Sequence, residues 1–538
     1  MSDTGYESQE LNHLGIIAGI CFEIELIKEI DACVDSGERE ITAGEAVQAM
    51  ILNALGFANR ALYLTSKFFE NKPVEHLIRA GVCAEDLNDD TLGRTLDVLY
   101  ETGVTEVFAR VASHALRIYE IEHETCHLDS TTISLHGEYN EDEDTQAIKI
   151  VHGHSKQRPD LKQAVVSLIC AYKSSIPLWL EIHSGNEVDK ALFPKIIENY
   201  LAQMEEGEEI CIVADSALYS KDSIASFPAG LLWITRVPES ISEAKRLIAE
   251  ADVNDMDDAQ KAGYKFSEVS SQYGGVEQRW LIVYSKAIYE SEEKALQKKI
   301  AKEKESARKQ LWHLENQEFS TPQEAIAALE TIEKSLKYHF CSAELVRVEH
   351  HRRGRPRAEA APNTIGYKLK VTLFEDRNRI ALVEKSLGKY ILATNQIDNE
   401  KMPADKMLAT YQTQPASVER GFRFLKDPMF FASGLFLKNS NRIMALLMVM
   451  GLALLVYSLA ERKLRLNLVE KNETVPNQVG KPVQNPTIRW VFQIFQGIHV
   501  LIIKERLSTR QLVLNLTPVQ LKIIHLLGVE VEKCYFFP

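Results

Sequence analysis

The chain contains 538 residues, of which 45% are hydrophobic and 26% are charged, and its formal net charge at pH 7 is −14. This composition excludes a disordered, collagenous or disulfide-scaffold protein, and at ~100–200 residues per domain the chain is long enough for several domains. Eight cysteines without a CxxC pair indicate a reducing compartment and argue against a zinc ribbon. The polar, acidic start of the chain predicts no secretory signal.

The net charge hides an asymmetry along the chain. Residues 341–538 contain 29 Lys and Arg against 17 Asp and Glu, a balance of +12, whereas residues 1–340 have a balance of −26. A positive excess confined to one part of a chain favours the binding of a polyanion by that part. We therefore expect a polyanion-binding face in the C-terminal part, despite the acidic total.

Residues 1–120 are predicted to form an all-helical N-terminal domain. Thr42 and Glu45 have the spacing of a capping box, and the apolar residues that follow recur at helical intervals. A second helical pattern runs through residues 92–99. Because this domain is acidic, it is not expected to bind phosphates over a broad surface. Recognition of DNA ends through a small patch and dimerisation both remain open as its role.

The periodicity then changes to that of strands, and residues 121–237 are expected to form the first part of a sheet-based core. Strands are predicted at 123–135, 162–172, 177–183, 210–214 and 231–237, with helices at 191–203 and shortly after residue 215. The order β-β-β-α-β-α-β is that of an RNase H-like sheet. We therefore predict an α/β fold, with a mixed sheet and flanking helices.

Residues 238–388 interrupt this core and are predicted to form a large α+β insertion domain. The insertion contains a Gly-rich hairpin at 273–275 and a long, highly charged helix near 289–315. Residues 389–470 are expected to form the second part of the core, and residues 471–538 a C-terminal region.

Residues 443–460 contain no charged side chain and are the one segment that resembles a membrane anchor. A spanning helix needs about 20 apolar residues, so this segment is at the lower limit of length. We predict a buried core helix and no membrane association. The following residues, 471–486, are rich in Pro, Asn and Gly and are predicted to form an exposed linker.

Three acidic residues are notable for where they lie. Asp129 is in the first predicted core strand, Asp215 ends the fourth, and Glu419 is on a helix that begins near residue 415. In an RNase H-like sheet the first two carboxylates would lie side by side. Glu419, Arg423 and Lys426 share the polar face of their helix. A carboxylate beside two cations suits a site that holds metal and phosphate together.

The residue types fit metal-assisted phosphoryl transfer. Two Mg²⁺ ions about 3.5–4 Å apart stabilise charge on the attacking and leaving oxygens in the general scheme. Because Mg²⁺ prefers hard oxygen ligands and keeps several waters, three carboxylates from separate elements suffice to hold it. We expect two Mg²⁺ ions, with Mn²⁺ able to substitute.

Six segments together resemble a known family, the DDE transposases of bacterial insertion sequences, in the cut-and-paste group with an insertion before the catalytic glutamate. The matching segments are HLDSTTISLHGEY (127–139), GHSKQRPDLKQ (153–163), IVADSALYS (212–220), WITRVPES (233–240), YGGVEQRW (273–280) and VERGFRFLKDP (418–428). The resemblance implies a catalytic triad of Asp129, Asp215 and Glu419, dependence on Mg²⁺, and an RNase H-like core. It also implies a homodimer in a synaptic complex, acting on terminal inverted repeats and target DNA in the bacterial cytoplasm, at the nucleoid.

The chain departs from one signature of the wider group, Tyr-x2-Arg-x3-Glu-x6-Lys. Glu419 and Lys426 keep the x6 spacing, but Tyr411 lies one residue too far from the glutamate and Gln414 falls where the arginine would be counted. This departure puts the roles of Tyr411 and Gln414 in doubt. Arg423 is a candidate to supply some of the missing positive charge.

Further candidate DNA contacts lie outside the triad. Arg353, Arg355 and Arg357 belong to the string HHRRGRPR, whose Arg-Gly-Arg-Pro core resembles an AT-hook and suits a narrow minor groove. A solvated basic loop is the alternative. Arg236, just after a predicted strand, is a candidate phosphate contact. Trp280 is a candidate to stack on an unpaired base, and a buried core tryptophan is its alternative.

The sequence therefore predicts a transposase that cuts its element's ends and joins them to target DNA by two-metal phosphoryl transfer. Two alternatives remain open. One is a catalytically inactive or domesticated derivative that binds DNA, and the other is an RNase H-like nuclease that only hydrolyses.

Overall fold

The computed structural model describes residues 5–34, 39–57, 62–136, 139, 147–153, 158, 160–204, 209–228, 230–350, 364–427, 437–505 and 508–537. The chain divides into two compact units. The first unit comprises Met1–Thr235, Tyr273–Val276 and Lys406–Pro538. The second unit comprises Arg236–Gln272 and Glu277–Asp405.

The strands lie in both units. They are β1 Gly5–Glu10, β2 Thr125–Leu135, β3 Lys162–Ala171, β4 Pro177–Ser184, β5 Cys211–Ala214, β6 Leu232–Arg236, β7 Asp257–Asp258, β8 Tyr264–Tyr273, β9 Val276–Ser285, β10 His339–His350, β11 Thr364–Glu375, β12 Lys389–Thr394, β13 Val475–Pro476, β14 Pro482–Val483, β15 His499–Lys504 and β16 Thr509–Leu514.

The α-helices range from one turn to 31 residues. They are α1 Leu14–Glu23, α2 Leu26–Asp31, α3 Ala43–Leu55, α4 Thr65–Phe69, α5 Val74–Leu77, α6 Asp89–Thr102, α7 Val104–Ile118, α8 Asp189–Leu201, α9 Lys221–Ser226, α10 Ser242–Glu250, α11 Lys286–Asn316, α12 Pro322–Glu333, α13 Arg377–Glu384, α14 Ala404–Gln412, α15 Gln414–Leu425, α16 Ser440–Glu470, α17 Ile488–Ile494, α18 Pro518–Leu527 and α19 Val529–Tyr535.

The sheet of the first unit has the strand order β4-β3-β2-β5-β6. Strands β2, β3 and β4 are antiparallel neighbours, whereas β5 runs parallel to both β2 and β6. Parallel neighbours need a crossover, and α8 and α9 lie in the two connections. Strands β3 and β5 are buried along almost their whole length, as expected for a sheet covered on both faces. This order confirms the RNase H-like arrangement.

Helix α16 forms the centre of the first unit and contacts helices α1, α3, α6, α7, α15 and α18 and strand β4. By length and composition it could cross a membrane, but 89% of its most apolar window is buried inside the fold. A helix that is hydrophobic all round can be buried in a large core without a membrane. The segment 443–460 is thus a core helix, as predicted.

The N-terminal segment differs from the predicted all-helical domain in one element. Strand β1 pairs antiparallel with β15, and α1 packs against α19, so both chain ends contribute to one packed region. The β1 sequence GYESQE is polar and largely exposed and carries little strand signal of its own. Its conformation depends on pairing with residues almost 500 positions away, which no local pattern could reveal.

The predicted linker at 471–486 is also corrected by the structure. Strands β13 and β14 form a small hairpin there, with Val475 opposite Val483. Val475 is 1% exposed and belongs to the main core of the first unit. The prediction failed because Pro and Gly are typical of tight hairpins as well as of linkers.

The second unit contains a sheet of order β12-β9-β8-β7 and a separate two-stranded ribbon, β10–β11. Strands β8 and β9 flank Gly274 and Gly275, which both have positive φ and so form the predicted hairpin turn. Helix α11 packs against β11 and α12.

Candidate active site

Strand pairing places Asp129 and Asp215 at the same level of the sheet. In the parallel ladder between β2 and β5, His127 is opposite Val213, and each aspartate lies two residues further along its chain. Because strand side chains alternate between faces, this shared offset keeps both carboxylates on one side. The Asp215 carboxylate accepts a hydrogen bond from the Ala217 amide at 2.8 Å. This bond fixes the turn at the end of β5.

Helix α15 carries Glu419 and packs against β2, the strand of Asp129, and its neighbour β3. Its apolar residues Val418, Phe422 and Leu425 are buried, which confirms the predicted face, and the helix contacts β2 and β3. The N-cap residue Thr413 is joined to β2 by a 3.0 Å hydrogen bond between its hydroxyl and Nε2 of His127. The start of the Glu419 helix is therefore attached two residues from Asp129.

Asp129 is the electrostatic centre of the cluster. The pKa of its carboxyl is raised to about 7, chiefly by burial and additionally by the negative charges of Asp215, Asp189 and Glu419, against a hydrogen bond from the Ser130 amide that lowers it. That donor is 2.8 Å from Oδ1 of Asp129. The structure thus brings Asp215, Glu419 and a fourth carboxylate, Asp189, within electrostatic range of Asp129.

Lys426 is the cation that faces this cluster. Desolvation lowers the pKa of its ammonium group, while the charge of Asp129 acts in the opposite direction. Arg423, one turn earlier on the same helix, is exposed. The polar face of α15 therefore presents a carboxylate and two cations, as predicted from their spacing.

The chemistry of the donor set fits a divalent metal ion. Asp129, Asp215 and Glu419 offer hard carboxylate oxygens, the ligands that Mg²⁺ prefers. Desolvation is the main cause of the raised pKa of Asp129, and repulsion from the neighbouring carboxylates adds to it; a divalent cation would neutralise this concentration of negative charge. The chemistry of these carboxylates is therefore compatible with a divalent cation.

Comparison with known proteins decides the family. The family model described as Transposase DDE domain matches residues 122–456, more than half of the chain. The chain belongs to the DDE transposases. It is therefore a DNA-cutting and DNA-joining enzyme that acts on DNA, and its family generally uses divalent metal ions. The match begins just before β2 and ends within α16.

Other comparisons add less. A second family model, described as a domain of unknown function (DUF4277), matches residues 6–113. No curated protein matches the transposase. Among solved structures, the chain is similar to a cryo-EM structure of the piggyBac transposase synaptic complex with hairpin DNA. The identity is 10% and the TM-score 0.38, over 88% of this chain and 79% of that chain.

Trp280 of the transposase is not where a base-stacking residue should be. It is 0% exposed on β9, and its indole nitrogen donates a 3.1 Å hydrogen bond to Gln278. The DNA-stacking prediction for Trp280 is therefore wrong, and the alternative of a core tryptophan is correct. The β9 residues from Gln278 to Val283 are all buried, so both faces of the strand are covered and no alternation marks a free face.

The remaining predicted DNA contacts have different outcomes. Arg236 ends β6, pairs with Glu239 at 3.2 Å and lies over the ring of Tyr390 at 5.2 Å. Its side chain remains 39% exposed, so a phosphate contact stays a prediction. Arg353, Arg355 and Arg357 lie outside the described residues.

Sequence reasoning missed Asp189, the fourth carboxylate of the cluster. Asp189 is the first residue of α8, and its Oδ1 accepts a hydrogen bond from the Ser130 hydroxyl. An acidic residue at a helix start normally indicates only a favourable interaction with the helix dipole. Asp189 ends the segment GNEVD, which follows β4. This segment could point to the site only once it was known that β2 pairs with β3 and that β3 pairs with β4.

Proposed function

We propose that Asp129, Asp215 and Glu419 are the catalytic triad of the transposase and hold two Mg²⁺ ions, with Mn²⁺ able to substitute. The observation that carries this proposal is the convergence of Asp215 and Glu419 on the half-buried Asp129 carboxylate. When bound, such ions activate the attacking hydroxyl and neutralise charge on the attacking and leaving oxygens. The enzyme then cuts its element's ends and joins them to target DNA.

The two reactions balance without any external oxidant or reductant. In the first, a water oxygen bonds to phosphorus at the transposon end and the bond from phosphorus to the 3′ oxygen breaks, which leaves a 3′-OH. In the second, that 3′-OH bonds to a target phosphorus and displaces a target 3′ oxygen. Lys426 and Arg423 provide positive charge beside the triad and are proposed to hold the non-bridging phosphate oxygens.

The remaining assignments follow the domain organisation. We assign residues 1–120 to DNA-end recognition or dimerisation, 121–237 and 389–470 to the catalytic core, 238–388 to the insertion and 471–538 to the C-terminal region. The terminal inverted repeats and the target are the DNA partners, and two copies of the chain assemble on two ends in the bacterial cytoplasm, at the nucleoid. Arg236, Arg353, Arg355 and Arg357 are proposed backbone or minor-groove contacts.

The substitution Asp129→Asn tests the catalytic assignment. It removes a metal ligand and preserves shape, so cleavage of a duplex containing the element's own end should be lost while binding of that duplex is retained. A gel-shift titration and a cleavage assay on the same labelled duplex give both readouts. Retained cleavage would contradict the triad. Native protein that binds the end without cutting it would favour the inactive derivative.

A further inference from the structure

The second unit presents an unexpected basic surface on α11. The inward side of this 31-residue helix is defined by its buried residues, which are Leu296, Ile300, Ala307, Leu311 and Leu314. Three carboxylates also serve the interior of the unit, because Glu292, Glu303 and Glu315 each accept a backbone amide hydrogen bond from outside the helix at 2.7–2.9 Å. These acids are engaged with the unit itself.

The opposite side of α11 is dominated by cations. Lys294, Lys298 and Lys302 are all exposed and recur every four residues, so they lie on one face about 6 Å apart along the axis. Lys309 continues this face two turns later and is paired with Glu305 at 2.8 Å. Although residues 1–340 are acidic overall, this helix therefore displays a regular row of positive charge.

An exposed tryptophan lies on the same side of the helix. Trp312 is 61% exposed, and a four-residue step from Arg308 places it at the C-terminal end of the cationic face. A large aromatic side chain left in water beside a row of cations is typical of nucleic-acid surfaces, where it packs against sugars or bases. A helix face whose only role was to keep the protein soluble would not require an exposed tryptophan.

We propose that the face of α11 formed by Lys294, Lys298, Lys302 and Trp312 binds the phosphate backbone of duplex DNA. The regular spacing of the lysines suits a ladder of phosphates, and the enzyme acts on DNA. The contact is independent of base sequence because ammonium groups read only backbone charge. It adds a DNA surface in the insertion that does not depend on the basic string around residue 355.

The salt dependence of binding tests this proposal. The substitutions Lys294→Gln, Lys298→Gln and Lys302→Gln are combined in the full chain, and affinity for a duplex containing the element's end is measured over a salt series. Loss of three phosphate contacts should reduce the slope of log K against log salt by about 2–3. A random duplex of equal length should show the same change. Trp312→Ala should weaken binding without changing the slope.

A charge-matched triple variant provides the control. Lys28, Lys334 and Lys533 are exposed lysines that each pair with a glutamate within 4 Å, and their replacement by Gln changes the net charge equally. Its slope should equal that of the native protein. An unchanged slope in the α11 variant would contradict the proposal. The α11 face would then be a candidate site for another polyanion, such as an acidic protein. Equal slope changes in both triples would also contradict it.

A second inference comes from an independent observation beside Asp129. Ser130 donates two hydrogen bonds to carboxylates, one from its hydroxyl to Asp189 and one from its amide to Asp129 at 2.8 Å. We infer that Asp189 is a positioning residue that acts through Ser130 to hold the Asp129 carboxylate for metal binding. This inference rests on the proposed metal site. Outer groups of this kind commonly change metal affinity by about 10–100-fold.

Paired substitutions separate positioning from direct ligation. Mn²⁺ binding to the full chain, measured by electron paramagnetic resonance, should weaken about tenfold in Ser130→Ala and in Asp189→Ala, and no further in the double variant. Ser130→Thr and Asp189→Asn keep the donor and the acceptor and should preserve affinity. If Asp189→Asn weakens binding as much as Asp189→Ala, or the double variant is additive, the inference fails. Native-like Mn²⁺ binding by Asp129→Asn would instead overturn the proposed metal site.

Discussion

At Asp129, burial and the charges of its neighbours act in the same direction, and its pKa rises to about 7. Without a metal ion, the folded protein therefore keeps a proton that the unfolded chain loses at about pH 3.9. The site carries an unfavourable charge balance that a bound cation relieves. This links metal affinity, pH and stability at a single residue.

The raised pKa predicts how stability changes with pH. Between about pH 4 and pH 7 the unfolded chain binds fewer protons than the folded, metal-free protein, so the free energy of unfolding should fall as pH rises. Asp129→Asn lacks this proton and should give a flatter profile. Urea unfolding in EDTA at several pH values between 4 and 8 provides the measurement. Identical profiles for the two proteins would contradict a raised pKa.

Metal affinity should change with pH in the opposite sense. Because Asp129 must lose its proton to bind a cation, Mn²⁺ affinity should increase as pH rises from 6 to 8 and should level off above the pKa. Titration of the native protein at fixed ionic strength measures this dependence. An affinity that is constant across the interval would show that Asp129 is already deprotonated or is not a ligand.

At the scale of single residues, the sequence predicted those site candidates whose positions follow from the periodicity of a strand or a helix. Asp129 and Asp215 were identified because strand positions determine where a carboxylate points, and Glu419 because helical spacing separates its polar face. Asp189 was not predicted as a site residue, because its role depends on which strand lies beside β2. Trp280 was misjudged because a strand covered on both faces gives no sign of which side chains are exposed.

Among the elements, α15 is held in position by contacts with residues outside the helix. Arg420, adjacent to Glu419, pairs with Glu461 of α16, which also binds Arg465 at 2.8 Å and accepts the Ile488 amide at 3.0 Å. Glu461 is only 4% exposed. This buried carboxylate anchors α15 to α16, the central helix of the first unit.

Removal of the Glu461 carboxylate should destabilise the folded protein. Glu461→Ala leaves two arginines and an amide without their common acceptor, and the free energy of unfolding should fall by about 3 kcal/mol. Glu470→Ala, at an exposed position of the same helix, should change it by less than about 0.5 kcal/mol. Urea denaturation of both variants provides the comparison. Equal effects would show that Glu461 has no special role.

Element prediction succeeded where the pattern was local. The strand predicted at 177–183 lies within β4, and the helix predicted near 289–315 lies within α11. The capping box of Thr42 and Glu45 is present with both hydrogen bonds. By contrast, β10 and β1 were missed, since an exposed ribbon strand and a polar edge strand owe their conformation to their partners.

At the scale of the whole molecule, the two ends of the chain meet in the first unit through β1 with β15 and α1 with α19. The N-terminal region that matches DUF4277 is therefore packed with the C-terminal region. Strand and helix patterns indicated neither contact, because both join residues that are almost a whole chain apart. The family resemblance, in contrast, could be recognised from short sequence segments that occur in the right order.

The proposed synaptic complex gives a prediction for the assembled protein. Mixed with a duplex containing the element's end, the transposase should form a particle with two protein chains and two duplexes. Light scattering coupled to size-exclusion chromatography measures its mass, with a duplex of unrelated sequence as control. A particle with one chain on one duplex as the sole product would contradict the dimer.

The most direct test of the central claim is cleavage of a supercoiled plasmid containing the gene's own flanking ends, with Mg²⁺ or with EDTA. The account predicts Mg²⁺-dependent breaks at those ends and joined products, both absent in Asp129→Asn, Asp215→Asn and Glu419→Gln. Breaks that persist in EDTA or in these variants would contradict the assigned triad. Hydrolysis without any joined product would contradict transposition by this site.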